Sequence, residues 1–351
     1  MELLRYIEMS ESLKILQFHY QNRTFTALEK HKAGVPVIGY TSNTVPIELI
    51  ETAGFYPTLV DANITDFKGS DQYMEPIFDQ RTKSIFHEIL SGKWSFLNTL
   101  IIPRTSEAEH KLYLYLMEVK RLTNNPNIPE IYFFDLLHTQ NPLSEAYGFE
   151  QMNLLDMFLR NQQKAIFSKE NISSTYHLAI HLSNQIKNHL NQLAVYRYQS
   201  LLTGVEAMTI IGAMYFMYRK DYLHNLEMAL LEISVRKPMK NSQKLLVKGN
   251  CINHTYFHES LEKDGNIVVA EDDWWGSRAG GSLIEISETP LKNLFDKYYF
   301  HSPSPRVFPM KKAHEWLQNE MIKGVDLVEF YINKDDDVLG WEKFWAKELL
   351  G

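Results

Sequence analysis

Three consecutive acids, Glu271, Asp272 and Asp273, close an apolar run and are followed by Trp274-Trp275-Gly276-Ser277-Arg278. Adjacent carboxylates repel, so at least one of the three is expected to be protonated, paired or solvated, with Arg278 the nearest partner in sequence. Gly276-Ser277 permits a tight turn, and the two tryptophans can wall a pocket. The segment suits a pocket floor that orients a thioester or an adenine-type group, and its Glu271–Asp273 acids suit general acid–base work. The plainer reading is an ion pair in a surface loop. Two more stretches place polar groups after apolar runs. They are Gly39-Tyr-Thr-Ser42-Asn-Thr-Val-Pro46-Ile-Glu48-Leu-Ile-Glu-Thr-Ala-Gly54 and Leu100-Ile-Ile-Pro103-Arg-Thr-Ser106-Glu-Ala.

Other chemistries find no support. There is no P-loop, no GxGxxG and no serine nucleophile elbow, and Ala279-Gly-Gly-Ser282 is too short to count. His177 and His181 are four apart, as are His254 and His258 after Cys251. Neither pair brings the further ligands of a zinc site, so no metal site is expected. Asp335-Asp-Asp337 reads as a solvated loop.

The elements that must position these residues follow from periodicity. Residues 1–33 have helical spacing, with Leu3, Ile7, Leu13, Leu16 and Phe18 among the apolar positions. Short apolar runs at 35–40, 56–60, 97–102 and 130–135 alternate with helical patterns at 46–54, 81–90 and 107–121, which argues for a parallel, doubly wound sheet. From about 153 to 235 the chain lacks proline and shows long amphipathic helices, one face marked by Tyr176, Leu178, Ile180, Leu182, Ile186, Leu190 and Leu193. Thr203 is placed to cap the next helix. Alternation resumes with strands at 244–248, 266–270 and 327–332 and helices at 253–264 and 341–350. The expected fold is α/β. An N-terminal helical segment (1–33) precedes a first α/β domain (34–150), a helical linker (151–239) and a second α/β domain (240–351). In such sheets ligands gather beyond the carboxyl ends of the strands, and Ser42, Ser106 and the Glu271–Asp273 triplet all fall at such ends.

Composition narrows the classes. The chain has 351 residues, 44% hydrophobic and 13% aromatic, which suits two domains with a large core or a subunit interface. Its net charge is −7 with no basic block, so no nucleic-acid partner is expected. No run approaches a bilayer span, and the start lacks an apolar leader core. With a single cysteine, Cys251, no internal disulfide is possible, and a cytoplasmic location is expected.

In combination the three motifs resemble the 2-hydroxyacyl-CoA dehydratase and benzoyl-CoA reductase family, and the likeness runs along nearly the whole chain. Asn184, the 202–207 segment and the Gly276-Ser-Arg278 stretch also match. The resemblance implies two Rossmann- or flavodoxin-like domains, reductive chemistry on CoA thioesters, and two homologous subunits face to face. It also implies an iron–sulfur cluster on cysteines and a separate ATP-dependent activator that delivers one electron. The family's cysteine positions fall here at Ser42, Asp79 and Ser106. Pro46, Glu48, Glu271, Asp272, Asp273, Gly276, Ser277 and Arg278 are the candidate substrate-binding residues. Cluster iron needs thiolates, and three oxygen donors do not replace them. This chain is therefore expected to hold no 4Fe-4S cluster and to serve as the cluster-free subunit of a heterodimer whose partner carries it. The alternatives are a repurposed enzyme with cluster-independent chemistry and a non-catalytic binding or scaffold protein. Glu271→Gln or Arg278→Ala is expected to weaken ligand binding without unfolding the chain.

Overall fold

In the computed structural model the described residues are 10–62, 68–75, 78–162, 172–240, 243–333, 336 and 339–344. Two sheets organise them, and every strand pairing is parallel. The first holds β1 (Val37–Tyr40), β2 (Tyr56–Leu59), β3 (Thr99–Pro103) and β4 (Glu130–Phe134) in the order β2-β1-β3-β4. The second holds β5 (Lys244–Gly249), β6 (Ile267–Asp272) and β7 (Leu327–Tyr331) in the order β6-β5-β7. β1, β2, β3 and β6 are buried along their whole length, so both faces of each are covered, as continuous apolar runs require.

Strand direction reverses its progress at β1 in one sheet and at β5 in the other. The crevices lie beside these strands, between β1 and β3 and between β5 and β7, at their carboxyl ends. Crossover helices follow in order. α3 (Ile47–Thr52) starts at Pro46 and is ended by Gly54 at φ +85°. α4 (Gln80–Leu90) and α5 (Glu107–Thr123) begin at the N-caps Asp79 and Ser106. α10 (Tyr256–Glu262) links β5 to β6.

The helical layer contains α1 (Glu11–Gln21), α7 (Ile172–Tyr198), α8 (Gly204–Ala213) and α9 (Arg219–Ser234), whose Leu13, Leu16, Ile186, Leu190, Leu193, Ile210, Tyr222 and Leu226 share one core. Thr203 caps α8 as expected, in a capping box with Glu206. A second core runs through the whole molecule, from Ile38 and Ile101 of the first sheet through Tyr215 and Trp275 to Val247 and Val268 of the second.

Several expectations shift. The N-terminal helix is broken into α1 and α2 (Phe25–Lys32), with Phe18 exposed and Leu3 and Ile7 outside the described residues. Leu178 is 71% exposed, so it does not share the buried face of α7. Its position, two residues from both Tyr176 and Ile180, lies about 200° around the helix from either. α6 (Pro142–Gln162) runs unbroken across residue 150. β6 extends through Asp272, because Val247 and Lys248 pair with Glu271 and Asp272. Between β6 and β7 lie α11 (Pro290–Phe300) and α12 (Lys311–Ile322), which periodicity did not single out. The expected last helix is seen at 339–344, and its remainder lies outside the described residues, as do Asp335 and Asp337.

Candidate functional site

The carboxyl ends of the two sheets face one cavity of about 300 Å³. The first sheet contributes the start of α4 (Asp79, Arg81, Thr82) and the β3–α5 junction (Thr105 to Glu109). The second contributes Gly249 to Cys251 after β5, Asp273 and Trp274 after β6, and Asn333 and Asp336 after β7. Ser304 to Arg306 complete the wall. Two switch points thus meet head to head, which puts polar loop ends from both sheets on one chamber.

Ser42 lies just behind this wall in a knot of hydroxyls. Its Oγ is 2.8 Å from both Thr44 and Thr105 Oγ1, and Thr44 and Thr105 are 2.6 Å apart. The neighbouring Thr41 donates to Glu109 Oε1 at 2.9 Å. Burial pushes the Glu109 carboxyl up, against the pull of the Arg81 charge. Asp79 and Ser106 both border the cavity while capping helices. Asp79 Oδ1 accepts from Thr82 N at 3.0 Å, and Ser106 Oγ accepts from Glu109 N at 3.3 Å.

The acidic triplet divides into three separate environments. Glu271 points away from the chamber, where Arg197 clamps it with both terminal nitrogens, one at 2.7 Å, and His258 Nε2 lies at 2.9 Å. Burial opposes its ionisation, but the Arg197 charge and these hydrogen bonds prevail and hold the carboxyl well below its usual range. Ser277 Oγ closes the loop, accepting from Glu271 N at 3.0 Å. Asp272 takes Lys248 Nζ at 2.6 Å and Arg278 Nε at 2.5 Å, and these charges outweigh burial to lower its pKa. The expected partnership with Arg278 is therefore with the middle acid.

Asp273 alone of the three borders the cavity. Among the described residues only backbone groups bind it, Gly276 N at 2.5 Å and Ile252 N at 3.1 Å. Burial, reinforced by the charge of Glu271, lifts its pKa to about 7. At neutral pH this carboxyl can either give or take a proton. Cys251 stands on the same chamber, although sequence distance had set it apart from the Ser42, Asp79 and Ser106 motifs. Burial and the Asp273 charge raise its thiol well above the ordinary value, so it is a neutral group there.

Arg81 ties the two sides together. It donates to Asp61 Oδ1 at 2.9 Å and to Thr41 O at 2.7 Å, and its guanidinium lies over the Trp274 ring, 5.3 Å from the centroid. Asp61 also accepts from Arg23 at 2.5 Å and from Asn253 Nδ2 at 2.8 Å, so one carboxylate joins the α1–α2 turn, the first sheet and the second.

This architecture can be set beside known proteins. The model of the 2-hydroxyglutaryl-CoA dehydratase D-component family matches residues 43–350. The chain belongs to this family. No curated protein matches it. The D-component match begins at the residue after Ser42, so α1, α2 and β1 precede it, and it covers β2 to β7 with α3 to α12.

Of the candidate residues, the structure gathers Asp79, Ser106 and Asp273 around the cavity, with Ser42 one hydroxyl behind them. Glu271, Asp272, Gly276, Ser277 and Arg278 do not border it, and they build the loop that presents Asp273. Pro46 caps α3, and Glu48 accepts from Ser183 and from Tyr298 Oη, the latter at 2.8 Å, between α3, α7 and α11. Trp274 is a cavity wall, whereas Trp275 is core. His258 serves Glu271, and His177 Nε2 lies 2.9 Å from Ser287 O. Among the described residues no group of three or more His, Cys, Asp or Glu is arranged to hold a metal ion. Sequence reasoning missed Arg81, Thr105 and Glu109. Arg81 lies two residues past Asp79 and Thr105 one before Ser106, so each adjoined a recognised position. No local pattern marked Glu109 as buried.

Proposed function

We propose that this chain is the cluster-free subunit of a 2-hydroxyacyl-CoA dehydratase-type complex, acting on an acyl-CoA-type thioester beside a homologous partner that carries the 4Fe-4S cluster. An ATP-dependent activator would serve that partner. One observation supports this above the others. The interdomain chamber retains groups able to hold and move protons, while the positions matched to cluster cysteines are oxygens already committed elsewhere. Ser42 is spent in the hydroxyl knot, and Asp79 and Ser106 in helix caps. Cys251, the single cysteine of the chain, is the only thiol that can border the chamber, and one thiolate cannot replace the several a cluster needs. This donor set does not fit a thiolate-bound cluster. What the chain offers is a pocket wall, the Arg81 cation, and a carboxyl at Asp273 that exchanges a proton near neutrality.

The test is anaerobic co-expression with a cysteine-bearing homologue, then iron and sulfide analysis of each separated chain. The expected result is co-purification, with iron and sulfide on the partner alone. A brown, sulfide-containing preparation of the isolated chain would defeat the proposal. The same Asp273 and Glu109 chemistry also favours a second reading, an enzyme that works without any cluster. Turnover of a thioester by the isolated chain in air would select that reading.

A further inference from the structure

A second cavity, of about 480 Å³, opens off the first and shares Thr105, Ser106, Glu107, Pro305 and Arg306 with it. Its character is different. Leu137, Val307, Phe308, Met310, Ala313 and Trp341 line it with carbon. The cations at its edge are already neutralised. Arg104 pairs with Asp135 at 3.2 Å, and Arg306 pairs with Asp336. Glu342 is paired with Lys248 at 2.8 Å, and Glu107 adds negative charge to the rim. Among the described residues that line it, a ligand tail ending in a carboxylate would meet the Glu107 acid and no cation that lacks an ion-pair partner. A hydrocarbon tail would meet a surface that gains by losing water.

His138 supplies the independent sign of a ligand. It lines this cavity, is 9% exposed, and its Nδ1 is buried with no hydrogen-bond partner among the described residues. Among the described residues His138 is the one histidine that lines this cavity, and a ligand carbonyl or hydroxyl would satisfy its ring nitrogen. Burial lowers its pKa to about 4, so at neutral pH the ring is uncharged, with one N–H to donate and one lone pair to accept.

We infer that the carbon-lined cavity is an acyl subsite, selecting a linear, uncharged acyl chain whose polar head lies toward Asp273 and the Thr105–Glu107 edge. This rests on the dehydratase-type reading for the thioester head, and on the cavity alone for the tail. The purified chain is titrated calorimetrically with N-acetylcysteamine thioesters from acetyl to octanoyl, with the glutaryl thioester as the carboxylate-tipped control. Affinity is expected to rise up to about fourfold per methylene until the cavity is full, the limit set by complete burial of each group. The glutaryl thioester is expected to bind at least tenfold more weakly than pentanoyl. Ala313→Phe fills the cavity and Leu137→Asp charges it, and either should flatten the chain-length gradient while leaving acetyl binding unchanged. The melting temperature identifies a variant that has lost its fold, in which case the other carries the test. Equal affinity for all chain lengths, absence of octanoyl binding at millimolar concentration, or a gradient that survives in both folded variants would overturn the inference. A gradient in the purified chain, with no iron-bearing homologue recovered in the separate co-expression test, would defeat the dehydratase-type reading and leave the subsite standing. An iron-bearing partner with a flat profile would do the reverse.

Discussion

Glu271, Asp272 and Asp273 show how far three adjacent carboxylates can diverge. β6 ends at Asp272, so Asp273 stands just past it; of the three only Asp273 reaches the chamber, and among the described residues only the first two pair with cations. The consequence for Asp273 is a pH-dependent cost. Its folded pKa, about 7, lies above the ordinary 3.8, so the fold holds an extra proton between these values. The stabilisation from that proton is complete below pH 3.8 and disappears as pH rises through 7. Asp273→Asn should therefore flatten the loss of stability between pH 4 and 8, worth a few kcal/mol at roughly 1.4 kcal/mol per pKa unit. Denaturant titrations of both proteins at a series of pH values would measure it, and parallel curves would show that Asp273 is ionised throughout. Glu271 has the opposite sign. Its stabilisation is present above the ordinary carboxylate pKa and lost as pH falls. The structure also changes the outcome expected of Glu271→Gln. Arg197 and Glu271 are both almost wholly buried, so the substitution leaves a guanidinium without its counter-charge, at about 3–5 kcal/mol. A lowered midpoint in urea is now expected, before any effect on ligand binding.

The elements carry the site through their junctions. β5 ends at Gly249, whose φ of +145° is in the region that side chains resist. A Cβ there would lie 1.9 Å from the backbone oxygen of Tyr331 at the end of β7. Backbone cannot give way as a flexible side chain can, so Gly249→Ala must part β5 from β7 or twist the turn that carries Cys251 into the chamber. A loss of several kcal/mol is expected, of the size that strained non-glycine conformations and clashes produce. Thermal unfolding would record it, and a melting temperature within a degree of the parent would contradict this account of the turn. The helix starts have a double role for the same reason. Asp79 and Ser106 each satisfy an otherwise open N–H of a first turn, an interaction typically worth about 1 kcal/mol, and so are fixed in place at the cavity edge.

At the scale of the whole molecule, the chamber exists because two parallel sheets turn their carboxyl ends toward each other around a shared core. Asp61 is the ionic part of that joint, taking Arg23 from the turn between α1 and α2, Arg81 from α4 and Asn253 from the loop after β5. Asp61→Ala would leave two guanidiniums facing each other with no anion between them. A destabilisation of at least 3–5 kcal/mol is expected, with faster protease cleavage between the two α/β units. Cooperative unfolding at the parent midpoint would mean the apolar core alone holds the units together.

Much of this was legible in the sequence because it is local. Strand and helix alternation, Gly54 as a stop, the Thr203 cap and the motif positions at strand ends all depend on residues within one or two turns of each other. The lack of thiolate donors at positions 42, 79 and 106 needs only the residue identities. What the sequence could not supply was distance through space. Packing of the two sheets with their carboxyl ends on one cavity placed Cys251 beside Asp79 and Ser106. Packing of α7 against β6 brought Arg197 to Glu271, 74 positions away. The meeting of two switch points made one chamber from loops that are remote along the chain. Charge partners and cavities belong to the packed molecule, since a carboxylate responds to whatever lies within a few ångströms, whatever its position in the chain.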